Sequence, residues 1–191
     1  MNTTEFDELT KLVWSPLLEG EFGFAFEKGG FCRELDGGIR QVILMDFDTG
    51  QARTFRIIVG FNSSFISGDL PPAEAGAFGV RYLDDQGLSS KPKNFPCFSQ
   101  EAAEKSLSQT LHTALTVVMP WFANYKTAED LVGVIEDQYP FIKGKLLFHA
   151  GQRDMAKKYL STHMQYLARQ QQSPSVVQGA RETQEMLKFC I

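Results

Sequence analysis

Two spacings of apolar side chains divide this chain. In residues 31–62, "FCRELDGGIRQVILMDFDTGQARTFRIIVGFN", hydrophobic and polar positions alternate, the period of strands with one buried face. Beyond Ser99 apolar residues return every third or fourth position, the period of amphipathic helices.

Because side chains alternate across a strand, slipping one residue would move every apolar group to the other face, so the register can be argued from the pattern. Three-residue turns at Asp36-Gly37-Gly38 and Thr49-Gly50-Gln51 segregate the residues best. One face then carries Phe31, Leu35, Ile39, Ile43, Met45, Phe47, Phe55, Ile57, Val59 and Phe61, a core face that helices must cover. The opposite face carries Cys32, Glu34, Arg40, Val42, Leu44, Asp46, Thr54, Arg56 and Ile58, with Glu34 across from Arg40.

Around this meander the spacing predicts a first helix over residues 4–18, with Phe6, Leu9, Val13 and Leu17 on one face and Thr4 and Asp7 as its capping box. A short edge strand within residues 22–26 is left open. The Gly-, Pro- and Ser-rich residues 62–78 read as a surface excursion, residues 80–85 as a returning fourth strand, and residues 86–98 as loop.

From the N-cap Ser99 a helix carries Leu107, Leu111, Ala114, Leu115, Val118 and Phe122, and Pro120 is expected to kink or end it. A further helix starts at Thr127, with Asp130 in its box, and stops at Pro140. Residues 142–150 and 153–170 form a helical hairpin, and residues 175–189 a last helix. Strands followed by helices define an α+β fold. Its antiparallel three- to four-stranded meander is covered by helices and followed by a C-terminal helical cluster. The whole reads as a single domain, 1–191, with residues 4–98 holding the first helix, sheet and loops and residues 99–191 the helical part.

Composition narrows the function. A chain with 43% hydrophobic and 22% charged residues is globular rather than disordered or membrane-embedded, and a net charge of −4 disfavours a general polyanion binder, so nucleic acid is not expected as a partner. Cys32, Cys97 and Cys190 form no even-numbered disulfide framework, and the acidic start and short apolar runs show neither signal peptide nor membrane span. These features point to the cytoplasm.

No phosphate-cradling glycine motif and no metal-ligand spacing among His112, His149 and His163 is present, so neither cofactor nor metal is expected. Nor does any cysteine or carboxylate pair lie in a recognisable catalytic setting, and no catalytic residue is assigned. The charged meander face, with Glu34, Arg40, Asp46, Thr54 and Arg56 around apolar centres, is the candidate binding patch. The loop aromatics Phe65, Phe78, Tyr82, Phe95 and Phe98 are either a recognition surface or a cap on the core. The leading expectation is a non-catalytic cytoplasmic interaction protein. The alternative is a small-molecule binder or enzyme with a pocket between the sheet and the 62–98 loops, using Arg81, Tyr82, Cys97 and His112.

In order, the motifs "LLEGEFGF", "GGFCRELDGGIRQVILMDF", "FRIIVGFN", "VMPWF" and "TAEDLV" resemble the bacterial family called domain of unknown function 4304, over about residues 4 to 160. The resemblance implies a small soluble α+β protein with no established activity, and it carries no functional residue over.

Overall fold

The computed structural model describes residues 1–50, 53–67, 77–171 and 173–190. It shows the expected α+β fold, whose contacts divide into two compact units, residues 1–126 and 127–191. The dividing line lies beyond the long helix that starts at Gln100, so that helix belongs with the sheet rather than with the C-terminal helices.

The first unit opens with α1 (Thr3–Phe22). Its capping box is formed by Asn2 and Glu5, not by Thr4 and Asp7: Asn2 Oδ1 accepts the Glu5 amide at 3.0 Å, and Glu5 Oε2 accepts the Asn2 amide at 2.8 Å. Starting the helix two residues earlier satisfies these end amides. Gly23, with φ 68°, closes the helix in the left-handed region where a side chain is strained.

Then come β1 (Ala25–Glu27), β2 (Gly30–Leu35), β3 (Ile39–Asp48), β4 (Thr54–Ser63), the single turn α2 (Ser64–Ser67), β5 (Phe78–Leu83), β6 (Leu88–Ser89) and β7 (Phe95–Pro96). Among the described residues these strands form one antiparallel sheet in the order β1-β2-β3-β4-β5-β6, with β7 pairing the Thr54 end of β4. The fourth strand expected at 80–85 is present as β5, and the edge strand left open by the spacing exists as β1. Two-residue strands β6 and β7 replace part of the expected loop, since the Leu83 and Phe55 edges find partners there.

The turn at residues 36–38 pairs Leu35 with Ile39 and Glu34 with Arg40, as the spacing predicts. At the next hairpin Asp48 faces Thr54, so the loop is two residues longer than the predicted turn at 49–51, whose Gln51 lies outside the described residues. A two-residue change preserves parity, and the predicted core face survives it. Phe31, Ile43, Phe55, Ile57, Val59 and Phe61 are fully buried.

Two helices cover that face. From α1, Phe6 stacks on Phe47 with ring centroids 4.8 Å apart, and Trp14 lies 6.0 Å from Phe31 while donating its Nε1 hydrogen to Leu107 O at 3.0 Å. Leu107 belongs to α3 (Gln100–Thr113), which runs through a wide π turn, residues 114–118, into α4 (Met119–Ala123). There the Met119 amide bonds Ala114 O, five residues back. The wider turn lets the chain pass Pro120, which lacks an amide donor and would press its ring on the preceding turn of an α-helix. The helix therefore continues to Ala123, where Phe122 packs on Phe24 and Phe61.

The second unit contains α5 (Ala128–Val132), α6 (Pro140–His149), α7 (Arg153–Ala168) and α8 (Pro174–Lys188). Thr127 and Asp130 form the predicted capping box. Pro140 starts α6 instead of stopping the preceding helix, because a proline at a first helical position loses no bond the helix needs. Leu147, Ala156, Leu160 and Cys190 form the core of this unit, and Lys145, 3% exposed, pairs with Glu182 of α8.

Candidate functional site

The solvent side of β2, β3 and β4 is built by strict alternation, yet it is not one open patch. At its centre Cys32 faces Val42, and both are buried, with Val42 fully so. This corrects the expectation for two of the four apolar centres; the other two, Leu44 and Ile58, face one another across β3 and β4 and are half-buried.

What remains are two polar ends. Arg40 and Asp46 stand six positions apart on β3, roughly 20 Å at the rise of an extended strand. At the first end Arg40 Nε lies 4.0 Å from Glu34 Oε2; the arginine side chain is only 15% exposed, and Asn62 across from it is fully buried. At this end the arginine is covered, whereas its partner Glu34 is 62% exposed.

The second end is open. Asp46 and Arg56 face one another across β3 and β4 and form an ion pair, each side chain about two-fifths exposed. One step on, Asp48 faces Thr54, and its Oδ1 accepts the Gly50 amide at 2.8 Å, which ties down the loop. Asp46, Phe47, Asp48, Thr49, Thr54, Arg56 and Asn94 line a hollow of about 310 Å³. Three of the five predicted patch residues, Asp46, Thr54 and Arg56, thus converge on one surface, and Glu34 and Arg40 lie apart from it.

The residues of the alternative pocket are scattered. Cys97 is fully buried at the Thr54 end of β4 and donates its thiol hydrogen to Arg53 O at 3.0 Å. Burial pushes that thiol up to about 11, and burial with the Glu27 charge pushes Cys32 up to about 11, so both stay protonated and poorly nucleophilic at neutral pH. Arg81 faces Val59 and donates to Val80 O, Tyr82 faces Ile58 further along the same strand, and His112 is exposed on α3. Part of the segment expected to wall that pocket, residues 68–76, lies outside the described residues.

Of the loop aromatics, Phe78 and Phe95 are buried caps, Phe65 and Tyr82 half-buried, and Phe98 is 64% exposed. His149 and His163 sit on α6 and α7, both held below the ordinary histidine range mainly by burial. Among the described residues no group of three or more His, Cys, Asp or Glu side chains is placed to hold a metal ion.

The pattern of apolar residues overlooked one polar network. Arg33 and Gln41 fall on the core-facing parity and pair across β2 and β3. Arg33 donates through Nε to Gln41 Oε1 at 3.1 Å and through a terminal nitrogen to Phe22 O at 2.8 Å; Gln41 Nε2 donates to Phe122 O and Tyr125 O at 2.9 and 3.1 Å. The same register that gave Glu34 and Arg40 would have revealed it. Asn94, by contrast, reaches the hollow from a loop and left no periodic trace.

Comparisons of the chain with protein-family models, curated proteins and solved structures find no match. No helix among the described residues is long and apolar enough to cross a membrane.

Proposed function

We propose that the protein is a non-catalytic, cytoplasmic interaction protein whose contact surface is the Asp46–Arg56 end of the sheet. The observation that carries this reading is the convergence of Asp46, Asp48, Thr54, Arg56 and Asn94 around a solvent-facing hollow on a rigid strand pair. Charged groups held by a β-ladder lose little side-chain freedom on binding, which favours a specific contact over a diffuse one. Buried, protonated cysteines give the rival catalytic reading no thiolate nucleophile at this surface. The resemblance to domain of unknown function 4304, carried by motif order, agrees with a small soluble α+β protein.

The test exchanges the pair, Asp46→Lys with Arg56→Glu, which keeps a cross-strand ion pair and with it the sheet. Tagged wild-type protein captured gently from its host's lysate is weighed intact by native mass spectrometry beside this variant. A stoichiometric protein partner retained by the wild type and lost by the exchanged pair supports the reading. A partner held equally by both sinks it.

A further inference from the structure

We draw no further inference here: the strongest candidate, the side-chain cluster of Lys145, His163 and Glu182 where α6, α7 and α8 meet in the second unit, rests as a pH-sensitive latch only on the lowered pKa of His163.

Discussion

Replacing Gln41 with leucine should destabilise the first unit through hydrogen bonds rather than through packing. Gln41 is 1% exposed; its carbonyl accepts from the Arg33 guanidinium and its amide nitrogen donates to two backbone carbonyls at the end of the helix that covers Phe61. Removing it takes the acceptor from two guanidinium nitrogens of Arg33, which keeps its bond to Phe22 O, and takes the side-chain donor from Phe122 O and Tyr125 O. Hydrogen bonds to a charged group are worth about 1.5–3 kcal/mol and neutral ones about 1 kcal/mol net, while the extra apolar burial of leucine returns about 1 kcal/mol. The expected loss is about 3 kcal/mol, with a further signature in the pair. Once Gln41 is gone, Arg33→Met should cost less than it does in the wild type, the bond to Phe22 O being its remaining loss, so the double-mutant cycle shows a coupling of about 1–2 kcal/mol. Both tryptophans of the chain, Trp14 and Trp121, lie in residues 1–126, so urea unfolding followed by tryptophan fluorescence reads this unit alone. A change under about 0.5 kcal/mol, or strictly additive single variants, would refute the account of what joins the sheet to its helices.

Further expectations follow from the same contacts. A Cβ on Gly30 would lie 2.3 Å from Ile43 O and 2.9 Å from Leu44 Cα, both backbone atoms, so Gly30→Ala must push β2 and β3 apart; a loss of about 3 kcal/mol or failure to fold is expected in the same urea assay. In the second unit His149 and His163 titrate below the ordinary 6.5, so the unfolded chain takes up protons first on acidification. Their contribution is intact above pH 6.5 and is lost as pH falls from there through the lowered folded values. Thermal unfolding between neutrality and pH 5 should show that decline, and His149→Gln with His163→Gln should flatten it.

Much of this fold is readable because alternation is robust. The loop after β3 is longer than its Gly50 suggests, yet a shift of two residues leaves Phe47, Phe55 and Ile57 on the buried face. Strands β6 and β7 are too short for any period; β6 folds back on β5 through the tight turn at 84–87, and the pairing of β7 depends on an edge presented from far along the chain, where Cys97 bonds Arg53 O. Pro120 reads as a kink or an end because a regular α ladder cannot pass it; the helix is distorted rather than ended, and the π turn that allows this is not written in residue type. For the site, cross-strand parity brought out Asp46 with Arg56 and Glu34 with Arg40 alike. That Arg40 is covered while Asp46 and Arg56 are both partly exposed is a tertiary property that strand patterning does not carry.

The most direct measurement places a photo-crosslinking benzophenone amino acid at Asn94, on the rim of the sheet hollow, and a second variant carries it at the exposed Arg169 on the C-terminal unit; both are irradiated in the host's own cells. A discrete covalent adduct from the Asn94 position and none from Arg169 is the predicted result. An adduct from Arg169 alone, or none from Asn94, would contradict the assignment of the Asp46–Arg56 end as the surface through which this protein acts.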